Sequence, residues 1–374
     1  MLLVLVFSLL RAFPNYSFLR EAGNQGTWRN AAIKGQDPTV DMTRRFPPAS
    51  HEAKLNFRLT VPLLARVLHL GRDGLLALFS ISGVLILYFT LDLSYQLTQS
   101  PWQNGIAPLA QQPARINREV RSSDFLGSRI AAAAVCMAVA CIWPGVLAFH
   151  QLLGGFYDAV ALCLLLAAMR ATAPLAAVAL FLAAWTDERA LLAAGLILVY
   201  AALRREFARG IAIAAAGSAY AATRLYFGNV YSLHTAWDGI GLGILLKDFN
   251  MAPLGIWTGL GGCWLIVAGG MWVLLARRRF FLVLAYGLAL CAVIVAALVV
   301  EDVTRSMAYT LPAVFVGLAA LVESEPPLVI ERVAAASALI CVLVPTYFAQ
   351  AGNATWLLPS VIQAIRLALY PRLG

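Results

Sequence analysis

Lysine is nearly absent. Lys34, Lys54 and Lys247 are the three in 374 residues, and charged side chains of all kinds make up only 13%. A soluble domain carries about 25% charged residues. No polar stretch here exceeds roughly 60 residues, less than a domain of its own usually needs. Common soluble-enzyme signatures are missing too: no G-x-G-x-x-G after a strand-like run, no Walker loop, no H-E-x-x-H and no G-x-S-x-G. These gaps exclude a nucleotide-binding domain, a zinc protease and a serine hydrolase. The six cysteines (Cys136, Cys141, Cys163, Cys263, Cys291, Cys341) all fall in apolar runs. Their spacing fits neither a zinc site nor a disulfide framework, so they read as small apolar side chains.

What is present is apolar. Hydrophobic residues make up 61% of the chain and the mean hydropathy is +0.77, which describes a polytopic membrane protein. The net charge of +9 comes mostly from arginine. Guanidinium suits anionic lipid headgroups and phosphates, which it grips in a bidentate way. The plainer reading is that arginine marks the cytoplasmic loops. No nucleic-acid partner is expected.

The stretch 156–206 organises the rest. Three apolar runs are separated by Arg170 and by the cluster Thr186-Asp187-Glu188-Arg189, with Asp158 before them and Arg204-Arg205 after. A bilayer accepts a helix of ~20 mostly apolar residues, so each run is expected to cross. Asp158 and Thr186–Arg189 then lie on one side, and Arg170 and Arg204-Arg205 on the other. Further crossings are expected at about 74–91, 130–149, 209–226, 254–276, 280–299, 307–322 and 333–349, after a short apolar helix over 1–13. The tail 350–374 ends in an amphipathic piece. The expected fold class is all-α, one transmembrane domain over 1–374 with ten or eleven transmembrane helices plus interfacial amphipathic helices. Residues 14–72 form a first outer loop with an interfacial helix broken at Pro62, 92–128 a cytoplasmic loop and 227–253 an outer loop. Arginine bias in the short loops sets the orientation, residue 1 being cytoplasmic.

One face thus gathers the first polar segment with Asp158, Asp187, Glu188, Arg189, Arg224, Asp302 and Arg305. Charges at helix ends are commonly solvated anchors. Against that, acid and arginine recur together in TDER and EDVTR, and Tyr157, Trp185, Trp237 and Tyr309 stand nearby. A pocket of acids, arginines and aromatics at a bilayer surface suits a lipid-linked phosphosugar.

Four short pieces carry a resemblance: NFRLTVPLLAR, FYDAVALCLLLAA, LFLAAWTDERALL and DVTRSMAYTLPA. With the long polar loop after a short first helix, the chain resembles the GT-C superfamily of multi-spanning glycosyltransferases, especially its small bacterial members. The resemblance implies transfer of a sugar from a polyprenyl-phosphate carrier to a lipid, glycan or protein acceptor, usually with inversion, on the outer membrane face. A carboxylate must deprotonate the acceptor hydroxyl, and cations must stabilise the departing phosphate. The family's base lies in the first outer loop, which implies Asp41 first and Asp37 second, with Glu21 and Glu52 also available. This chain departs from the family in having Asn15, Ser17 and Glu21 where an acid often follows the first helix. Arg58 and Arg305 are the expected phosphate ligands, with Lys54 and Arg189 behind them. Asp158, Asp187, Glu188 and Asp302 bind sugar hydroxyls, orient the arginines or hold a divalent cation such as Mg or Mn, as some family members do. His51 serves in acid/base work or on the phosphate, or is a solvated bystander.

Two readings of other classes stand beside this one. A secondary transporter would place charge at the midplane of a crossing and show an internal repeat, and neither is evident; a lipid-linked-sugar flippase is the form that would share such a groove. A non-catalytic GT-C-like subunit of a polysaccharide synthesis or export complex would tolerate loss of Asp37 and Asp41 together. The Ala/Leu/Arg-rich composition points to a bacterial inner membrane, with the active face periplasmic.

Overall fold

A computed structural model describes residues 57–103, 116–150, 157–230, 241–247, 249–300, 302–344, 346–350 and 353–357, with Leu2 and Val6 helical. The described chain is mostly helical. Its helices are α1 (Thr60–Val67), α2 (Arg72–Gln103), α3 (Ile116–Ala140), α4 (Trp143–His150), α5 (Asp158–Arg170), α6 (Ala173–Thr186), α7 (Arg189–Leu203) and α8 (Phe207–Val230). They continue with α9 (Leu242–Lys247), α10 (Ala252–Leu260), α11 (Trp264–Ala276), α12 (Phe280–Leu298), α13 (Val303–Met307), α14 (Leu311–Ser324) and α15 (Pro327–Leu343). Among the described residues four segments are long and apolar enough to cross a membrane: Ala77–Gln99, Phe249–Ala276, Phe280–Leu298 and Val303–Ser324.

The three runs of 156–206 fold as α5, α6 and α7 packed on one another, but at 13, 14 and 15 residues they are shorter than the ~20 expected of a crossing. Their far ends carry the arginines. Arg170 Nε meets Asp92 at 2.5 Å, and the Arg209 guanidinium bonds the Ala171 carbonyl and pairs with Glu206. Helices α7 and α11 both end with an arginine in the left-handed region, Arg205 at φ 57° and Arg278 at φ 56°. There the next N–H returns to a carbonyl a full turn back, Glu206 to Ala201 and Arg279 to Leu274. That is the capping geometry which glycine usually supplies.

Helix α14 is the axis. Every residue from Leu311 to Val322 is buried, and α2, α7 and α11 pack around it. The closest approach is at glycine: a Cβ on Gly270 of α11 would lie 2.4 Å from the Gly317 Cα of α14. Small residues let backbones meet where lipid gives no hydrophobic drive for helix association. Helix α12 instead exposes Phe281, Leu284, Leu288 and Val295 along one face, as a lipid-facing surface would. Its inner face is pinned by Tyr286, whose hydroxyl donates to the Ala313 carbonyl at 2.7 Å.

Several expectations need correction. Residues 92–103 and 116–128 are not loop but the ends of α2 and α3. Several polar side chains here are satisfied along or between the helices: Gln96 bonds Asp92 one turn back, and the Thr98 and Ser128 hydroxyls each donate to the other's backbone carbonyl. Pro62 does not break a helix. It sits in the first turn of α1, where a missing N–H costs nothing. The crossing expected at 130–149 is broken between α3 and α4, just ahead of Pro144, which has no N–H to carry the ladder of a continuous helix. The last described helix stops at Leu343, and Thr346–Gln350 pairs antiparallel with Asn353–Leu357, a hairpin the all-α expectation did not contain. Residues 14–56 and 231–240 lie outside the described residues.

Glycine contact at the axis is testable by thermal unfolding in detergent. Gly270→Ala drives a Cβ into backbone and is expected to cost about 1–3 kcal/mol. Gly287→Ala, which meets nothing within 4 Å, is expected to stay within about 0.5 kcal/mol.

Candidate functional site

Four pieces of chain meet at the N-terminal ends of α5, α7 and α13. Residues 57–60 are docked on the last turn of α6, the Leu59 N–H donating to the Trp185 carbonyl at 2.8 Å and the Thr60 hydroxyl to the Leu182 carbonyl at 2.8 Å. This seats Arg58 beside Asp187, with Nη2 to Oδ2 at 3.0 Å. Asp187 leaves α6 in an extended conformation, and its Oδ1 accepts the Arg189 N–H at 3.0 Å at the start of α7. Asp158 is the first residue of α5. A carboxylate at a helix start is favoured by the unpaired N–H groups and the helix dipole.

The carboxylates are bound up with guanidinium. Arg189 donates to Asp187 through Nε and Nη2, both at 2.7 Å, and the same Nη2 reaches Asp158 Oδ1 at 2.5 Å. Arg305 Nε donates to Asp158 Oδ2 at 2.8 Å, and its Nη1 to Asp302 Oδ2 at 2.8 Å. The Tyr309 hydroxyl also donates to Asp158, at 3.1 Å, and Arg189 Nη1 donates to Ser306 at 2.7 Å. The Arg189 guanidinium further lies 4.9 Å from the Tyr309 ring centroid.

Burial is what the sequence concealed. Asp158 and Asp187 are fully buried, and Arg305 and Arg58 are 4% and 6% exposed. Charges expected at solvated helix ends are therefore shielded from water, where each is tolerable only with a partner. Burial opposes ionisation of Asp187, but Arg189 and Arg58 outweigh it and hold the carboxyl well below the usual carboxylate range. Burial likewise works against the Arg58 charge, and the nearby Asp187 and Glu188 reverse this, holding the guanidinium protonated.

Two buried atoms of this site have no hydrogen-bond partner: Arg58 Nε and Asp302 Oδ1. Such atoms are costly in a folded protein, and each invites a ligand or water. Beside the network, Arg224 stacks 4.3 Å from the Phe57 ring centroid and bonds the Tyr220 hydroxyl at 2.5 Å. Trp185 packs between Tyr220 and Phe227.

Of the residues singled out in the sequence, Arg58, Asp158, Asp187, Arg189, Asp302 and Arg305 come together here. Glu188 lies at the edge, 3.9 Å from Arg224. Asp37, Asp41, His51 and Lys54 lie outside the described residues. Ser306, next to Arg305 in sequence, was missed as a site residue, while Tyr309, named only as a nearby aromatic, follows Arg305 by four positions and shares its helical face. Tyr157 stacks on Phe79. Among the described residues no three His, Cys, Asp or Glu side chains are placed to hold a metal ion. The oxygens of Asp158 and Asp187 are already taken by guanidinium, so this network does not fit a divalent cation.

No protein-family model matches this chain, and no curated protein or solved structure matches it. The site's chemistry must be read from its own geometry.

Asp158→Ala strands two buried guanidiniums and is expected to destabilise the fold by about 3–5 kcal/mol. Arg224→Ala, in a half-buried pair at the edge, is expected to cost no more than about 1 kcal/mol. Equilibrium unfolding in detergent separates them. The contribution of Asp187 is present in full above the ordinary carboxylate range, about pH 4, and is lost as pH falls through its depressed native value. Asp187→Asn is therefore expected to lower stability equally at pH 7 and pH 5.

Proposed function

We propose that this chain is an integral-membrane glycosyltransferase that moves a sugar from a polyprenyl-phosphate carrier to a lipid, glycan or protein acceptor. The observation that carries the proposal is Arg58: a buried guanidinium with an unpartnered Nε, beside a cluster of further arginines at one end of the helices. A charge-assisted bond to a phosphate oxygen would satisfy that donor.

On this reading the acceptor oxygen attacks the anomeric carbon while the bond from that carbon to the phosphate oxygen breaks. The phosphate leaves with an added negative charge, which Arg58 stabilises at close range. Arg305, spent on Asp158 and Asp302, supports it through the local field. Asp158 and Asp187 orient the arginines. Asp41, with Asp37 second, takes the acceptor proton. Lys54 and His51 precede Arg58 closely enough in sequence to reach the same phosphate. The chain crosses a bacterial inner membrane ten or eleven times, with this face periplasmic.

One observation favours a second reading. Arg58, Arg189 and Arg305 are matched by Asp158, Asp187 and Asp302, so the network is balanced without a ligand. A non-catalytic subunit of a polysaccharide synthesis or export complex would be built the same way.

Binding of radiolabelled polyprenyl-phosphate sugar to the solubilised chain tests the choice. Arg58→Ala removes a charged hydrogen bond of about 1.5–3 kcal/mol, so affinity is expected to fall on the order of 10- to 100-fold. Asp41→Asn is expected to keep binding and lose transfer. Absence of any carrier binding by the wild type would leave the subunit reading, and binding without transfer to any acceptor would leave a flippase.

A further inference from the structure

Two turns at the end of the helices opposite the Asp158 network are built alike. Helices α7 and α8 join through Arg204-Arg205-Glu206-Phe207, and α11 and α12 through Arg277-Arg278-Arg279-Phe280. In each turn the second arginine holds the left-handed conformation, Arg205 at φ 57° and Arg278 at φ 56°. Glycine takes that conformation more easily than any residue with a Cβ. The two turns also lie level. Helices α7 and α12 pack on each other, and a Cβ on Gly195 of α7 would lie 3.2 Å from the Ala289 Cβ of α12. Arg205 follows Gly195 by ten residues and Arg278 precedes Ala289 by eleven. At about 1.5 Å per residue, each turn is about 15 Å from that contact, on the same side of it.

Other arginines at this end are held by the protein itself. Arg170 pairs with Asp92, Arg209 with Glu206, and Arg279 with Glu323, while Arg277 bonds the Ser324 carbonyl. Arg205 and Arg278 are exposed, and among the described residues their guanidiniums have no ion pair or hydrogen bond. Exposed apolar surface stands beside both. Phe207 and Ile211 follow Arg205, Phe280 and Phe281 follow Arg278, and Trp272 and Leu275 precede Arg278 on α11.

The charge bias that orients a membrane protein would be served by a basic residue anywhere in these loops. It does not call for arginine at the two positions where the backbone disfavours a side chain. A free guanidinium next to exposed rings suits the phosphate of a lipid headgroup, which two N–H groups can grip together. Basic positions at the ends of membrane helices attract anionic lipid in this way.

We propose that each turn seats one anionic phospholipid. Its phosphate lies on Arg205 in one seat and on Arg278 in the other, with the acyl chains against the neighbouring Phe side chains. The two seats are independent of the transferase reading.

Titration of the full chain in detergent with phosphatidylglycerol, read by native mass spectrometry, tests this. Two molecules are expected to stay bound, and phosphatidylcholine, whose choline offsets the phosphate charge, is expected to be retained far less. Arg205→Gly and Arg278→Gly remove a guanidinium while relieving the backbone, so each should keep thermal stability and weaken one seat about five-fold. Arg205→Gln and Arg278→Gln, which keep the left-handed side chain, are expected to lose as much. Arg66→Gln, at an exposed arginine on α1, is expected to change retention less than two-fold. Equal retention of phosphatidylcholine, an equal loss from Arg66→Gln, or no loss from the Arg205 and Arg278 variants would overturn the proposal.

Discussion

Asp158 reaches no solvent, yet it accepts hydrogen bonds from Arg189, Arg305 and Tyr309, which belong to two separate parts of the chain. A buried carboxylate of this kind has no neutral alternative that keeps its partners satisfied. Remove it, and two guanidiniums are left in a medium that cannot hydrate them. The segment after α6, the start of α7 and the short helix α13 must therefore arrive together, in one arrangement. Desolvation offsets most of the Coulombic gain in such networks, so the net stability they add is modest while the cost of breaking them is large. The network's physical consequence is a fixed geometry at one end of the helices, with Arg58 held against Asp187 and an unpartnered donor beside it.

Packing elsewhere serves that arrangement. Helix α14 follows directly from the turn carrying Tyr309 and is buried from Leu311 to Val322, so the network is anchored to the most deeply buried of the four candidate spans. The contact of Gly270 with Gly317 sets how closely α11 can approach. The opposite ends are held by exposed or half-buried pairs, Arg170 with Asp92 and Arg279 with Glu323. Solvent screens such pairs, and they constrain little.

Much of the helical framework was legible because polar residues punctuate the apolar runs. Asp158, Arg170, Thr186–Arg189 and Arg204-Arg205 mark the ends of α5, α6 and α7 within a residue or two. Polarity misled where the helix satisfied it internally. Asp92, Gln96, Thr98 and Ser128 look like loop residues but bond along and between α2 and α3. The hairpin at 346–357 has no alternation to set it apart from the apolar run before it. Six of the site residues could be chosen from sequence: Asp187, Arg189, Asp302 and Arg305 because acid and arginine recur in TDER and EDVTR, Asp158 as an acid at the end of an apolar run, and Arg58 from NFRLTVPLLAR. Their depth could not, since a charge at a helix end is solvated by default and only tertiary packing reverses that.

The central claim is that Asp158 and Arg305 act as one buried unit. A double-mutant cycle with Asp158→Asn, Arg305→Gln and the pair combined, read by equilibrium unfolding in detergent, tests it most directly. Each single change leaves a buried group without its partner, whereas the double change removes both charges. The expected result is a double variant less destabilised than the sum of the singles, with a coupling of about 2 kcal/mol or more. Additive losses, within about 0.5 kcal/mol, would show that the two residues do not depend on each other and would contradict the claim.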